Sequence, residues 1–467
     1  MNKKRFFGWI FIFTATILVC IVLIQPYFII QEKLTNKDKK VAAFYYGWYS
    51  NSTDYSQTVP FNIIDDKAWR HWDGTIPSDE LTITNHPIYG LYDSADPFVI
   101  EKHLRQGEWA ELDSFILSYW GINTPTSDNF INMLEVAKYI DSNLSLSLYF
   151  ETGMGDLPKL SEDDAVDFLY GELKYIYGIM TSDEYKNYIW YEDNKPVLFA
   201  YVVQWLTSTV WGSVLNQLEK EGISFYLVAD RPGFLPSYNS LFQATHQYDG
   251  YAPVRDNIVL ETNLRLKKNA MRYNQLYIAS VHPGYDDTNV REGNTPMERQ
   301  DGDYYGKRWE DAISMNPDWI AIVSWNEWHE GTEIEPSVEH GNKALKQTKN
   351  YIEEFKSGNY DLLSQNINYL PEAFWSIIAL FLSWIIFLSF PISYNKFSGK
   401  YDVNLNLRSK KVLLFLFMVI SWIGLIVFLM VEAIVGYLLL ISGEYYILLL
   451  SLFTFINRYA DFFHKKK

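Results

Sequence analysis

From Val41 to Lys356 the chain alternates short apolar runs with helix-like segments, an order that few folds accommodate. The strand candidates are Val41–Tyr46, Ser114–Ser118, Leu144–Phe150, Pro196–Val202, Ser224–Asp230, a weaker run at Tyr248–Ala252, Gln275–Val281 and Trp319–Ser324. Between them lie helix candidates at Asp96–Trp109, Asp128–Ser142, Glu162–Met180, Trp211–Glu221, Asn263–Tyr273 and Tyr304–Met315, and Lys343–Lys356 follows the last strand. Asp96-Pro97 and Ser127-Asp128 supply N-caps. This alternation predicts an α/β fold, a (β/α)8 barrel of the TIM type. Ser50–Leu91 is too long for an ordinary connection and reads as a functional loop over the barrel mouth.

The flanks have a different character. Lys3, Lys4 and Arg5 precede the apolar run Phe6–Ile30, longer than the roughly 20 residues that cross a bilayer. No small-x-small cleavage site follows, so a retained signal anchor is expected, then a charged linker to Lys40. After a polar linker over 359–371, three apolar segments at about 374–392, 412–431 and 434–456 read as further transmembrane helices, the last containing Glu444. The basic residues Lys3–Arg5, those of Asn395–Lys411 and Lys465–Lys467 fall on one side if all four segments span. The expectation is a multi-pass cell-membrane protein, with the lipid bilayer as a partner and the 41–358 domain extracytoplasmic. The single cysteine, Cys20, lies inside the first apolar run, so no intramolecular disulfide is available to the fold.

With a formal net charge of −16 and no basic stripe between the flanks, the chain is no nucleic-acid binder. Aromatic residues make up 17%, with 16 Trp and 35 Tyr. Membrane interfaces account for part of that excess. The remainder, between Val41 and Gly358, fits a carbohydrate-binding surface.

The stretch richest in chemistry is Ser324-Trp325-Asn326-Glu327-Trp328-His329-Glu330-Gly331-Thr332-Glu333-Ile334-Glu335-Pro336, after the last strand. It reads as too polar for core. Glu327 and Glu330, three residues apart, are placed to face one cleft. Tryptophan beside paired carboxylates suits a sugar, whose C–H face packs on indole while acids act on its oxygens. Other chemistry-bearing residues fall where barrel strands should end: Tyr46, Trp48 and Tyr49 after the first, Trp120 after the second, Glu151 after the third. Tyr201 and Trp205 end the fourth, and His282-Pro283-Gly284-Tyr285-Asp286, with Arg291 beyond, the seventh. Any one of these aromatics alone would serve to plug a barrel; their convergence is what points to a site. His329-Glu330 lacks the second histidine of a His-Glu-x-x-His zinc site.

Taken together, Phe44-Tyr45-Tyr46-Gly47-Trp48-Tyr49, His71-Trp72-Asp73, Tyr92-Asp93-Ser94-Ala95-Asp96-Pro97, Pro283-Gly284-Tyr285-Asp286 and Trp325-Asn326-Glu327-Trp328-His329-Glu330-Gly331-Thr332 resemble glycoside hydrolase family 99, the endo-α-mannosidase family. The resemblance covers the 41–358 domain and none of the apolar flanks. It implies a (β/α)8 barrel that cleaves internal α-mannosidic bonds with retention, using no metal and no other cofactor. By position in the motif, Glu327 matches a base that deprotonates the sugar 2-hydroxyl, and Glu330 an acid/base for the leaving oxygen. Glu327 is then expected to be ionised at rest and Glu330 protonated. Substrate contacts are expected from Tyr46, Trp48, Tyr49, His71, Trp72, Trp120, Glu151, Tyr201, Tyr285, Arg291, Trp325, Asn326 and Trp328. Departures exist: Glu333 stands where the family often has glutamine and His282 where a small residue is usual. No counterpart of the family's cleft tyrosine aligns around Asp249-Gly250-Tyr251.

The expected function is that of a membrane-anchored endo-glycosidase acting on a glycan or polysaccharide. A membrane glycosyltransferase or polysaccharide-export factor is the first alternative, distinguishable by a need for sugar nucleotide. The second is an inactive glycan-binding barrel, against which the Glu327/Glu330 pair argues, because binding alone does not need it.

Overall fold

A computed structural model describes residues 38–50, 72 and 81–358, apart from 234, 250, 256, 293 and 294. The four apolar segments, the charged linker before Asp38 and His71 lie outside the described residues. Among the described residues no helix is long and apolar enough to cross a membrane.

Eight parallel strands close into a barrel: β1 Lys40–Tyr45, β2 Ser114–Tyr119, β3 Ser145–Phe150, β4 Lys195–Ala200, β5 Tyr226–Asp230, β6 Ala244–His246, β7 Leu276–Val281 and β8 Trp319–Ile322. Each pairs with the next, and β8 returns to β1 with Val41 opposite Ile320. Alternate residues serve two cores. Ala42, Phe44, Ile116, Tyr149, Phe199, Val228, Ile278 and Ala321 fill the barrel, while Val41, Ala43, Phe115, Leu148, Leu198, Ala229, Ala279 and Ile322 pack outward against the helices. Burial on both faces is why the strands read as continuous apolar runs with little period-2 polarity. Trp319, Trp190 and Tyr226 close the N-terminal end, with ring centroids 4.6 and 5.7 Å from Trp319.

The outer helices are α1 Pro97–Trp109, α2 Pro125–Tyr139, α3 Glu162–Met180, α4 Ser208–Lys220, α5 Val259–Arg272, α6 Asp303–Ser314 and α7 Lys343–Ser357. The Asp96 cap is where the sequence placed it, accepting from the Phe98 amide. The second helix starts three residues before the expected Asp128, because extended Thr124 caps the Ser127 amide and Pro125 is pre-set for the first turn. α4 likewise begins at Ser208 rather than Trp211, capped by Thr207.

The sixth strand is the main correction. It is Ala244–His246, and Tyr248–Ala252 is not a strand. Asp249 accepts from the amides of Tyr251 and Ala252, which turns Tyr251–Arg255 into a short helix. The true strand escaped notice because two of its three residues, Thr245 and His246, are polar and yet fully buried.

Candidate active site

The chain leaves β8 through a cis Val323–Ser324 peptide and folds back on itself. The Ser324 amide donates to the Thr332 carbonyl (2.8 Å), and the Ser324 hydroxyl accepts from the Glu327 amide (2.7 Å). Gly331, at φ +60°, lets this loop lie against the loop after β7: a Cβ there would meet the Asp286 backbone nitrogen at 3.1 Å. The Asp286 amide donates to the Glu330 carbonyl at 2.7 Å, fixing the two loops together. Glu327 and Glu330 are thereby carried to the C-terminal mouth of the barrel, where folds of this kind keep their chemistry.

Contrary to the sequence expectation, this stretch is core. From Ser324 to Ser337 only Glu330 is appreciably exposed. Its polar groups are satisfied internally, as burial requires. Glu335 accepts from Tyr92 Oη (2.8 Å) and pairs with His103 Nε2 (3.0 Å), and His103 Nδ1 meets Tyr45 Oη at 3.0 Å. Glu333 pairs with Arg299 at 2.5 Å and accepts from Asn85 at 3.0 Å; burial pushes its carboxyl up to about 7.

Several expected sugar contacts therefore belong to the scaffold. Trp325 points outward between His103 and Phe115, with ring centroids at 5.5 and 4.9 Å, and lines no cleft. Asn326 stitches β1 to this loop, accepting from the Tyr46 amide (2.7 Å) and donating to the Tyr46 carbonyl (2.9 Å). Trp328 is fully buried and donates to Tyr92 Oη. Tyr49 donates to the Asn326 carbonyl, accepts from the Trp328 amide and stacks on Trp72 at 4.2 Å. Both Tyr49 and Trp72 are buried beneath the mouth. Their tryptophans and tyrosines are conspicuous in the sequence because packing needs their size.

The remaining expected residues converge. Arg291 Nη1 donates to Glu330 Oε1 and to Asp287 Oδ2, both at 2.9 Å, and to Tyr285 Oη at 3.1 Å. Glu151 accepts from Ser118 Oγ (2.8 Å), which in turn accepts from Trp120 Nε1 (2.9 Å). Tyr46 Oη donates to Tyr248 Oη at 2.5 Å, and the Tyr46 ring lies 4.5 Å from that of Trp48. Tyr201 packs edge-on against Tyr149 and Tyr248. His282 meets Tyr304 Oη at 3.1 Å from Nε2, within the wall behind the β7 loop.

Sequence reasoning missed Tyr248, Asp230 and Asp287. Tyr248 was hidden by the misplaced sixth strand. Asp230 ends β5 with no exposure and receives the amides of Tyr248 (2.9 Å) and Val202 (3.2 Å), tying three strand ends together. Asp287 stands four residues before Arg291, a spacing that could have signalled the pair.

The electrostatics follow from crowded carboxyls, of which Glu327 and Glu330 feel the Arg291 guanidinium and Asp230 that of Arg231. Burial pushes Glu327 well above the usual carboxylate range, and its neighbour Glu330 pushes it further. Burial also raises Glu330, but the Arg291 contact opposes the rise. In the substrate-free structure the pair's shared proton is therefore favoured on Glu327 and the anion on Glu330, the reverse of the expected distribution. Burial holds Glu151 up to about 8 and Asp230 up to about 6. A carboxyl pair that holds one proton between its members can act as general acid and general base together.

The barrel carries these carboxyls at its C-terminal mouth, and its similarity to known glycosidases makes the chain a glycoside hydrolase. The family model for glycosyl hydrolase family 99 matches residues 256–369 of the chain. It is 28% identical over 348 residues to the glycoprotein endo-alpha-1,2-mannosidase of Rattus norvegicus, covering 66% of this chain and 70% of that protein. The Mus musculus protein of the same name is 27% identical over 341 residues, with the same coverage. Two solved structures of the family 99 endo-alpha-mannosidase from Bacteroides thetaiotaomicron superpose with TM-scores of 0.56 and 0.55 at 22% identity, covering 69 and 68% of this chain and 99 and 98% of that one.

Proposed function

We propose that this glycoside hydrolase cleaves internal α-mannosidic bonds with retention, by participation of the substrate's own 2-hydroxyl. The Glu327/Glu330 pair at the barrel mouth, with Arg291 on Glu330, is the observation that carries this reading. The names borne by the rodent and bacterial relatives support the α-mannoside substrate. In the first step Glu327 takes the 2-hydroxyl proton, O2 attacks C1, and the bond from C1 to the leaving oxygen breaks as Glu330 protonates that oxygen. In the second, anionic Glu330 takes a proton from water, whose oxygen opens the 1,2-anhydro ring at C1, and Glu327 returns its proton to O2. Reaction thus needs the anion on Glu327 and the proton on Glu330. The leaving oxygen would displace Arg291 from Glu330, and losing that direct contact raises Glu330 relative to Glu327, moving the pair's proton toward Glu330.

The same proposal places the enzyme at the cell membrane, with 41–358 outside. The apolar segments at 6–30, 374–392, 412–431 and 434–456, and the basic residues that would share the cytoplasmic side, support it.

Digestion of α-mannan and defined α-manno-oligosaccharides by the full-length protein in detergent tests the substrate reading. Short oligosaccharides from internal cuts are expected, without added sugar nucleotide. Release of mannose alone, or no cleavage of any α-mannoside, would overturn it.

A further inference from the structure

On the loop after β4, against the loop after β3, stands a tryptophan that the folded chain leaves half uncovered. Trp205 is 48% exposed, although the structure fixes it firmly. It closes the short helical turn Val203–Trp205, whose preceding residue, Val202, has φ +30°. A β-branched residue in that region is strained and persists only where its surroundings over-determine it. Here Asp230 Oδ2 accepts from the Val202 amide (3.2 Å), Thr152 Oγ1 donates to the Tyr201 carbonyl (2.6 Å), and Trp211 Nε1 donates to the Val203 carbonyl (3.0 Å). One edge of the indole rests directly on Gly153, where a Cβ would come within 2.2 Å of Cζ3. The other neighbour is Tyr201, edge-on at 5.4 Å, whose own hydroxyl feels the charges of Glu151, Asp230 and Glu330. Trp205 is thus one ring beyond the carboxyl cluster, held rigid and open to solvent.

We propose that Trp205 is the stacking platform of a distal sugar subsite, taking a pyranose of the substrate chain beyond the residue whose bond is cleaved. The proposal rests on the glycan-cleaving reading above and adds a binding unit to it. A flat apolar face, immobilised by strain elsewhere and placed on the β3–β4 side of the reacting groups, loses little entropy when a sugar ring covers it. Gly153 is the seat that sets the indole's height.

The test uses full-length wild type, Trp205→Ala, Trp205→Phe and Gly153→Ala on an α-mannotetraose and on an activated aryl α-mannoside of one or two sugars. Trp205→Ala is expected to raise KM about tenfold on the tetrasaccharide, with kcat and the shorter substrate little changed. Gly153→Ala, which must displace the indole, should behave the same way, and Trp205→Phe should recover most of the loss. An equal effect on both substrates, or none on the tetrasaccharide, would overturn the platform. Should wild type cut neither substrate, the α-mannoside reading fails, and affinity electrophoresis through gels of α-mannan, α-glucan, galactan and xylan decides. Retardation of wild type in one gel, lost in Trp205→Ala, supports the platform; equal migration in every gel overturns it.

Discussion

Glutamine in place of Glu327 or of Glu330 is expected to lower turnover at least about a hundredfold, the scale of a positioned acid or base. Glu327 is buried and Glu330 partly so, with their neighbours already arranged, so the exchange keeps shape while removing proton transfer. Glu327→Gln keeps an oxygen for the His329 amide, and Glu330→Gln an oxygen for Arg291. Binding of oligosaccharide should therefore survive in both variants. Steady-state kinetics with calorimetric titration separates the two effects. Substantial turnover by either variant would remove that residue from the proposed chemistry.

Replacing Arg291 by methionine should move the whole pH–rate profile upward, by about one unit or more. The active form of the pair carries one proton, so the profile is bounded by two macroscopic ionisations. Arg291 favours the anionic forms of Glu330 and Glu327, and removing it raises both ionisations. Less of the pair is then singly protonated at low pH and more at high pH. The groups around the pair, Asp287, Asp249 and Glu151, are themselves acidic and push in the same direction. Arg291→Lys, which keeps the charge, should shift the profile less. An unchanged profile, or one displaced to lower pH, would show that Arg291 does not set the pair's ionisation.

The barrel was legible because its strands are buried on both faces, which leaves apolar runs such as Trp319–Ile322 unmistakable in number and spacing. Where an interior position is polar, that signal disappears. Thr245 and His246 face a buried interior on a three-residue strand, and the reading slipped to the next run, taking Tyr248 with it. Helix starts slipped for a different reason. Thr124 and Thr207 cap their helices before the first apolar repeat, so periodicity alone begins too late.

The site was half legible. Spacing brought out Glu327 and Glu330, and strand ends brought out Tyr46, Glu151, Tyr201 and Arg291. Which tryptophans face sugar could not be read from sequence, because the stretch after β8 conceals its polarity in long-range pairs. His103 to Glu335 and Asn85 to Glu333 join positions more than two hundred residues apart, and without those partners the segment looks like a solvated loop. The ionisation order was misread for a related reason. Adjacent carboxylates predict that their ionisations separate, but the order depends on how deeply each is buried and on the contact of Arg291 with Glu330, neither of which spacing reveals.

The most direct measurement of the proposed chemistry compares an α-mannoside oligosaccharide with its 2-deoxy counterpart at the sugar whose bond is cleaved. If O2 is the nucleophile, the 2-deoxy compound binds but is not turned over. The synthetic 1,2-anhydro sugar should then be hydrolysed by wild type, and by Glu327→Gln faster than that variant cleaves the glycoside. Normal cleavage of the 2-deoxy substrate, or a glycosyl ester trapped on Glu327, would show that a carboxylate of the protein attacks C1 instead.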